Sequence, residues 1–344
     1  MLVDEFSYVL PEELIAQHPV YPRDYARLMV LDRNKRSIEH KLFYEVEQYI
    51  LRGDVLVLND SKVIKARIFG FNEGTGGKRE IFLLKQADNE KWLALTNPNS
   101  RVHISDRIII SEKPKVYALV CEKNDNGENV IEFFSESIRE VAEIVRQFGE
   151  TPLPPYIKGR LLSDSEYQTV YSKLEGSVAS PTAGLHFTES LLTKLEDKGV
   201  IIEYITLHVG LGTFKPIKVD DLNKHKMHEE EYFVTEKTAM RINDARQSGG
   251  RVFAVGTTVA RTLETVSARN GILKPMTGET KLFIKPGYPF KIVDSIITNF
   301  HFPRTTLLAL VSAFAQKDFV LQAYNLAVKE KYRFYSFGDA MLIV

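Results

Sequence analysis

Three stretches in the second half of the chain each carry one histidine among small and polar residues. They are Ser180–Phe187 with His186, His208–Phe214 with His208, and Asn299–Thr306 with His301. An imidazole accepts or donates a proton near neutral pH, and small residues let a ligand approach the backbone closely. The other candidate binding residues in these stretches are Thr182, Gly184, Gly210, Gly212, Thr213, Asn299, Arg304 and Thr305. We therefore predict that the three stretches form the active site of an enzyme.

Two further segments carry residues suited to charged ligand groups. Gly256, Thr257 and Thr258 begin a predicted helix, where free backbone amides favour an anion, and Arg261 follows one turn later. Asn59-Asp60-Ser61-Lys62 follows a predicted strand, so Asp60 could act as a base and Lys62 could meet an anion. Taken singly, the segments are also explained as polar turns, glycine-rich connections or capped helices.

A metal site is the alternative chemistry that the sequence suggests. His225 and His228 lie three residues apart beside Glu229, and imidazoles with nearby acids can bind zinc. The spacing is not that of a His-Glu-x-x-His site, and the stretch is polar, which favours a surface segment or a substrate clamp. Cys121 is the only cysteine, so neither a disulfide within the chain nor a cysteine metal cluster can form. We expect no metal.

Composition limits the class of protein. The 344 residues exceed the usual size of a single core, which favours two domains, and 44% hydrophobic residues are enough to fill them. The 45 basic residues balance the 45 acidic ones, which argues against strong non-specific binding to a polyanion. Acids at positions 4 and 5 and the lack of a long apolar run argue against a signal peptide and a membrane span. We expect a cytoplasmic protein with no membrane partner.

The elements that must position the candidate residues alternate between strands and helices after about residue 160. Ser177–Ala179, Arg251–Val255 and Ser295–Thr298 have the pattern of strands, and each leads through a candidate loop into a helical pattern. The last of these helices is predicted from about Thr305 to Lys331. Such alternation predicts a largely parallel sheet flanked by helices, with ligands bound beyond the carboxyl ends of the strands.

Residues 62–149 have a different texture. Six short β-rich runs between Ala66 and Phe134 are separated by turns that are rich in Gly, Asn and Asp. Regular short strands with such turns predict a small barrel or sandwich. We therefore predict a discontinuous α/β domain, 1–61 and 150–344, with an inserted all-β, barrel-like domain at 62–149. Three consecutive units are the alternative.

Ten segments, in order along nearly the whole chain, resemble the S-adenosylmethionine:tRNA ribosyltransferase-isomerase family of queuosine biosynthesis. They are Asp54–Arg67, Thr151–Ile157, Tyr167–Tyr171, Ser177–Thr188, Leu207–Pro216, His225–Glu229, Gly256–Glu264, Pro286–Tyr288, Thr298–Ala315 and Tyr332–Val344. The resemblance implies an α/β domain with an inserted β-barrel. It also implies transfer and isomerisation of the ribosyl part of S-adenosylmethionine onto 7-aminomethyl-7-deazaguanine at the tRNA wobble position, which gives epoxyqueuosine and releases adenine and methionine.

This activity gives the candidate residues expected roles. Several near-neutral proton transfers suit His186, His208, His301 and Asp60, and which histidine acts as base or acid stays open. Asp60 or Asp339 could face the sulfonium, and the methionine carboxylate could dock at Gly256–Thr258 with Arg261.

The resemblance also implies the partners. The candidate contacts to tRNA phosphates are Lys62, Lys65, Arg67, Lys158 and Arg160. We expect S-adenosylmethionine as co-substrate, no cofactor or metal, and a monomer. An RNA-binding module on a non-catalytic α/β scaffold is the alternative function, motivated by the inserted β domain.

Overall fold

A computed structural model describes residues 1–88, 90–124, 127–159, 161–210, 212 and 217–344. The chain divides into two compact units, one of residues 1–62, 154–174 and 180–344, the other of residues 63–153 and 175–179. We predict two domains, one of residues 1–61 and 150–344 and the other of residues 62–149, and their independence stays a prediction.

The described strands and helices follow the chain from residue 27 to residue 343. The strands are β1 Arg27–Asp32, β2 Ser37–Leu42, β3 Val55–Asn59, β4 Ser61–Val63, β5 Arg67–Asn72, β6 Lys78–Gln86, β7 Lys91–Asn97, β8 Arg107–Glu112, β9 Lys115–Lys123, β10 Glu128–Ser135, β11 Gly149–Glu150, β12 Leu174–Ser177, β13 Ile201–Leu207, β14 Glu230–Val234, β15 Val252–Val255, β16 Met276–Thr280, β17 Ser295–Asn299 and β18 Ala340–Ile343. The helices are α1 Val141–Phe148, α2 Glu189–Asp197, α3 Glu236–Gln247, α4 Thr257–Val266, α5 Thr306–Ala315 and α6 Lys317–Lys329.

The larger unit is built on a mixed sheet. Among the described residues nine strands pair in the order β16-β14-β13-β3-β15-β17-β18-β1-β2. The four central strands, β13, β3, β15 and β17, run parallel to one another. Every residue of β3, β15 and β17 is buried, as expected for near-continuous apolar strands that are covered on both faces.

The parallel run brings four chain segments to one edge of the sheet. Strands β3, β13, β15 and β17 end at Asn59, Leu207, Val255 and Asn299, so the candidate segments that follow them start at the same edge. The predicted strand Ser177–Ala179 is wrong, because β12 ends at Ser177 and belongs to a separate two-stranded sheet with β4.

Helix α2 covers one face of the sheet. Its side chains Leu191, Leu192 and Leu195 are buried in a cluster with Leu56 and Val255 from the strands. Thr188 caps the helix by accepting a hydrogen bond from the Leu191 amide at 3.2 Å, as its hydroxyl side chain predicts.

The long helix predicted from about Thr305 to Lys331 is wrong, because two helices occupy this range. Helices α5 and α6 meet at Gln316, whose φ of 64° lies in the left-handed region and ends the first helix. Glycine is the usual residue at such a break, and glutamine gives no local signal for it. None of the described helices is long and apolar enough to cross a membrane.

The smaller unit is a closed antiparallel barrel. Its described strands pair in the order β5-β6-β7-β10-β9-β8, and β8 pairs with β5 to close the ring. Buried and less buried residues alternate along β5, β9 and β10, with one set of side chains filling the interior. The predicted fold class, an α/β main part with parallel strands and an inserted β-barrel, is confirmed.

Candidate active site

A cleft at the carboxyl edge of the parallel strands collects residues from the predicted loops. It holds about 590 Å³ of space, a volume that includes its opening to solvent. Seven of the predicted site residues line it, namely Thr182, Gly256, Thr257, Thr258, Asn299, His301 and Thr305. The described lining residues include no Lys, Arg, Asp or Glu. The cleft is therefore neutral and polar in one part, and apolar in another.

A chain of hydrogen bonds fixes the amide of Asn299 in the cleft wall. The Thr182 hydroxyl donates to Asn299 Oδ1 at 2.9 Å, and Asn299 Nδ2 donates to His186 Nε2 at 3.1 Å. His186 does not line the cleft but lies behind Asn299, with its ring centre 5.0 Å from that of Phe43 and tilted by 31°. An amide nitrogen only donates, so Nε2 accepts and the imidazole is neutral. Burial, helped by the charges of Arg333 and Arg23, lowers the pKa of His186 to about 3.

His301 lines the cleft and is held on both sides of its own backbone. Tyr8 Oη donates to the His301 carbonyl oxygen, and the His301 amide donates to Tyr324 Oη at 3.1 Å. Its ring nitrogen Nε2 lies 2.9 Å from Thr298 Oγ1. Burial lowers the pKa of His301 to about 3, so this ring too is neutral at pH 7.

His208 and Asp60 form a second group, beside the ends of β13 and β3. The Thr206 hydroxyl donates to Asp60 Oδ1 at 2.6 Å. The charge of Asp60 raises the pKa of His208, and the charge of His208 lowers the pKa of Asp60. Burial raises the pKa of Asp60, whereas burial lowers the pKa of His208 against the opposing charges of Glu231 and Asp60. His208 Nδ1 is buried and has no hydrogen-bond partner among the described residues. Neither residue lines the cleft, although the next residue, Val209, does.

Asn59 joins the ends of two parallel strands. Its Oδ1 accepts from the Leu207 amide at 3.0 Å, and its Nδ2 donates to the Leu207 carbonyl oxygen at 2.9 Å. The Ser61 amide also donates to Oδ1, at 3.1 Å. The side chain is 1% exposed, so Asn59 holds β3 and β13 together near Asp60 and lies outside the cleft.

The amino end of α4 faces the cleft, but Arg261 does not. Gly256, with φ 93°, caps the helix, and its first two residues line the cleft. Arg261 is 2% exposed and pairs with Glu230, while its Nε donates to the Leu282 carbonyl oxygen at 3.1 Å. Glu230 Oε1 also accepts from the Gly210 amide at 3.2 Å. The backbone amides at the amino end of α4 can therefore bind an anion. The guanidinium of Arg261 is already bonded to Glu230 and to the Leu282 carbonyl oxygen.

Two predicted glycines lie where a side chain has no room. A Cβ on Gly184 would lie 2.0 Å from Tyr171 Oη, and a Cβ on Gly212 would lie 2.2 Å from the His228 ring. Gly210 has open space within 4 Å of its Cβ position. Small size at positions 184 and 212 therefore allows loop packing, and none of the three glycines lines the cleft.

Five other predicted residues lie outside the cleft and interact elsewhere. Asp339 is 2% exposed and accepts from the amides of Arg27 at 3.0 Å and Arg333 at 2.8 Å, and burial raises its pKa. Arg304 is exposed and pairs with Asp4 at 3.0 Å. The remaining three residues are basic. Lys158 pairs with Glu12 and Arg67 pairs with Glu80, whereas Lys62 is half-buried. The carboxylate of Asp339 is therefore held by backbone amides.

Three predicted residues remain, the tRNA-contact candidates Lys65 and Arg160 and the substrate-binding candidate Thr213. Lys65 is half-buried in the smaller unit. Arg160 and Thr213 lie outside the residues that the structure describes. All predicted roles of these residues stay predictions.

The lining residues that the sequence did not single out include Tyr156, Phe302, Tyr335 and Ser336. Tyr156, Tyr335 and Ser336 lie in segments that carry the family resemblance, Thr151–Ile157 and Tyr332–Val344, and Phe302 follows His301 directly. The motifs of the family resemblance therefore contained these residues, but their side chains do not titrate near neutral pH and so were not candidates for catalysis. Within the described residues, no group of three or more His, Cys, Asp or Glu is placed to hold a metal ion.

An α/β sheet with a loop-lined cleft at the carboxyl ends of its strands is the arrangement of an enzyme that binds a small molecule. The family described as Queuosine biosynthesis protein matches residues 3–343, and the chain belongs to this family.

Two relatives agree with this assignment. A protein of Acetivibrio thermocellus named S-adenosylmethionine:tRNA ribosyltransferase-isomerase is 51% identical over 343 residues, which cover 100% of both chains. The crystal structure of S-adenosylmethionine tRNA ribosyltransferase from Thermotoga maritima is 40% identical, with a TM-score of 0.58 over 99% of this chain and 100% of that chain. The predicted family is confirmed, and with it the prediction of an enzyme.

Proposed function

We propose that this chain transfers the ribosyl part of S-adenosylmethionine to 7-aminomethyl-7-deazaguanine at the wobble position of tRNA and isomerises it. The products are epoxyqueuosine in tRNA, adenine and methionine. The observation that carries the proposal is the full-length 51% identity to an enzyme with the transferase-isomerase name. The neutral cleft formed by the predicted loops supports it independently.

S-adenosylmethionine fits the two kinds of surface in the cleft. The amide end of α4, at Gly256–Thr258, is suited to the methionine carboxylate. The Thr182 hydroxyl and the Asn299 amide, fixed by the bond to His186, are suited to the ribose hydroxyls. Asp60 and Asp339 do not line the cleft, so neither carboxylate is placed to contact the sulfonium directly.

His208 and Asp60 suit proton transfer by their titration better than the other two histidines, and Val209, the residue after His208, lines the cleft beside them in the chain. A base must remove a proton from the ribose carbon beside the sulfonium, and such a base works best with a pKa near the working pH. His186 and His301 have pKa values near 3 because they are buried, so they suit hydrogen bonding as neutral rings. His208 keeps two carboxylates nearby that oppose its desolvation. His186 is therefore a positioning residue for Asn299.

The partners follow from the reaction. S-adenosylmethionine is a co-substrate, and no metal or other cofactor is required because the sulfonium itself activates the ribose. The nucleic-acid partner is tRNA with an accessible anticodon loop, since a modified base must be splayed out to react. Lys62, Lys65, Arg67, Lys158 and Arg160 stay the proposed phosphate contacts, in a monomeric cytoplasmic enzyme.

Mass spectrometry of tRNA tests the reaction directly. Purified protein is incubated with S-adenosylmethionine and tRNA that carries 7-aminomethyl-7-deazaguanine, and adenine and methionine are quantified in the same sample. We expect a mass gain equal to the rearranged ribosyl unit, with one adenine and one methionine per modified base. The matched controls are tRNA with guanine at the wobble position and the neutral thioether S-adenosylhomocysteine, which should give no product. A mass gain equal to a methyl group, without adenine, contradicts the proposal.

The RNA-binding alternative predicts a different result. A non-catalytic module would bind tRNA without releasing adenine, and alanine at His186, His208 and His301 would leave its tRNA-dependent function intact. The enzyme name of a full-length relative favours the transferase-isomerase.

A further inference from the structure

One part of the cleft wall is made of aromatic rings from three distant parts of the chain. Tyr156, Phe302 and Tyr335 all line the cleft. The ring of Tyr156 lies 5.3 Å from that of Phe302 at an angle of 65°, and 4.8 Å from that of Tyr335 at 33°. The three rings therefore form a continuous aromatic surface, the kind of surface on which a planar heterocycle can stack.

This aromatic surface is fixed in position before a ligand binds. Tyr156 Oη and Ser336 Oγ are hydrogen-bonded at 2.7 Å, which sets the ring of Tyr156. Tyr335 has φ 71°, a left-handed conformation that a bulky side chain rarely adopts. Such strained residues cluster at ligand sites, because the surrounding packing must hold them there.

Two hydroxyl groups of the cleft lining have no partner in the protein. Tyr335 Oη and Ser180 Oγ are buried and make no hydrogen bond among the described residues. Tyr335 is 5% exposed and Ser180 is 1% exposed, and both line the cleft. A buried hydroxyl without a partner is costly, so native proteins usually supply one, and in a cleft a ligand can do so.

We propose that Tyr156, Phe302, Tyr335 and Ser180 form the subsite for the adenine ring of S-adenosylmethionine. The ring of Tyr156 would cover the purine face, and the hydroxyls of Tyr335 and Ser180 would bond its nitrogen-bearing edge. The inference rests on the proposed function, in which S-adenosylmethionine occupies this cleft. Adenine is the only aromatic part of S-adenosylmethionine, and the methionine carboxylate is its only anionic part. The aromatic surface and the amide end of α4 match these two parts.

The chemistry of the cleft favours adenine over the target base of tRNA. A nucleotide of tRNA brings phosphate groups, and proteins meet these mainly with Lys and Arg. The described residues of the cleft lining contain neither. A free adenosyl group carries no phosphate, so an uncharged aromatic subsite suits it.

Equilibrium dialysis with labelled S-adenosylmethionine tests the subsite. It is run with and without tRNA that lacks the modified base, so that binding is measured without turnover. Tyr335→Phe and Ser180→Ala each remove one hydroxyl, and thermal unfolding checks that each variant is folded. The matched control is Tyr332→Phe, which removes a hydroxyl bonded to His40 Nδ1 at 2.7 Å from a fully buried ring outside the cleft.

We expect the Kd for S-adenosylmethionine to rise about tenfold in Tyr335→Phe and several-fold in Ser180→Ala, and to stay within about twofold in the control. Adenosine should displace S-adenosylmethionine from the wild-type protein, and about tenfold more should be needed with Tyr335→Phe. The Kd for tRNA, measured by filter binding, should not change.

Three results would overturn the adenine subsite. They are an unchanged Kd for S-adenosylmethionine in both variants, adenosine competition that Tyr335→Phe does not weaken, and weaker binding of modified tRNA with unchanged binding of S-adenosylmethionine. The last result would assign the aromatic surface to the tRNA base. Failure of the wild-type protein to bind S-adenosylmethionine under either condition would instead contradict the proposed function itself.

Discussion

Asn299 Nδ2 donates a hydrogen bond to His186 Nε2 over 3.1 Å, although the two residues are 113 positions apart in the chain. The bond makes His186 a neutral support for the amide of Asn299, which faces the cleft together with Thr182. The histidine that sequence reasoning places in catalysis is thus held away from the substrate space. Asn299 and Thr182 therefore line the ligand space, whereas His186 holds Asn299 in place.

Removal of the Asn299 amide should impair turnover more than stability. Asn299→Ala removes a polar group of the cleft wall, and we expect kcat/KM for S-adenosylmethionine to fall by about ten- to a hundredfold. Adenine release measures this directly. The control is Asn243→Ala, which removes two bonds to the Leu273 backbone, at 3.0 and 2.9 Å, away from the cleft. It should lower the free energy of unfolding with little change in kcat/KM, and equal effects of both variants would contradict the role of Asn299.

His301 should make the protein less stable in acid. Burial holds its pKa near 3 in the folded protein, below the ordinary value of about 6.5. Between pH 3 and pH 6.5 the unfolded chain therefore binds a proton at this ring that the folded protein does not bind. The free energy of unfolding is consequently unaffected by titration of this residue above pH 6.5 and falls as the pH decreases towards 3. The slope from this residue should approach about 1.4 kcal/mol per pH unit.

Urea unfolding between pH 7.5 and 4.5 measures that slope. His301→Gln has no titrating ring, so the fall in free energy of unfolding with decreasing pH should be shallower by about this amount. His186 remains in both proteins and cancels in the comparison. Parallel curves for variant and wild type would show that His301 is protonated equally easily in both states.

Asp60 should control both the rate and its pH dependence. The carboxylate raises the pKa of His208 against the opposing effect of burial. Asp60→Asn removes that charge, so the pKa of His208 should fall further and the acid limb of kcat/KM should move to lower pH. We expect kcat to fall by about a hundredfold or more if the pair transfers a proton.

Single-turnover adenine release between pH 5 and 9 records this limb. Thr206→Val is the companion variant, because it removes the 2.6 Å hydrogen bond that lowers the pKa of Asp60 and leaves both titratable groups in place. An acid limb that stays in place in Asp60→Asn would exclude His208 as the group that it reports.

The ion pair of Arg261 and Glu230 should be required for stability and for the loop after β13. Arg261→Met leaves Glu230 charged in a site that is 4% exposed, which should cost about 3–5 kcal/mol. The double variant Arg261→Met with Glu230→Leu removes both charges and should recover most of this stability. It should not recover activity, because the Gly210 amide has lost its acceptor.

Urea unfolding and adenine release on the same preparations separate the two effects. The variant Glu230→Gln with Arg261→Met is the informative comparison, because an amide oxygen can still accept from Gly210. It should be more active than the leucine double variant. Equal activity of the two double variants would mean that the Gly210 bond does not matter for turnover.

Gly184 should tolerate a methyl group only if Tyr171 loses its hydroxyl. A Cβ at residue 184 would lie 2.0 Å from Tyr171 Oη, so Gly184→Ala should destabilise the protein by about 1–3 kcal/mol. Tyr171 Oη is buried without a hydrogen-bond partner among the described residues, so Tyr171→Phe alone should cost little. The double variant should recover a large part of the loss in urea unfolding. Strict additivity of the two single variants would contradict this contact.

The sequence by itself determined several of the elements and the segments of the site. Periodicity predicts the strand before Asn59, the helix after Ser180–Phe187 and the short strands of the barrel, because these patterns depend on neighbours a few residues away. Turn residues after the strands marked the loops that meet at the cleft. Ten motifs in chain order were enough to identify the family.

Only the tertiary structure decided which residues of those segments face the ligand space. Burial lowers the pKa of His186 and His301, and Glu230 takes the guanidinium of Arg261 from 31 positions away. The aromatic surface of Tyr156, Phe302 and Tyr335 comes from positions that have no local pattern in common. Desolvation, ion pairing and ring contacts act between groups that are adjacent in space. Packing of the whole chain sets these adjacencies, and spacing within a segment does not encode them.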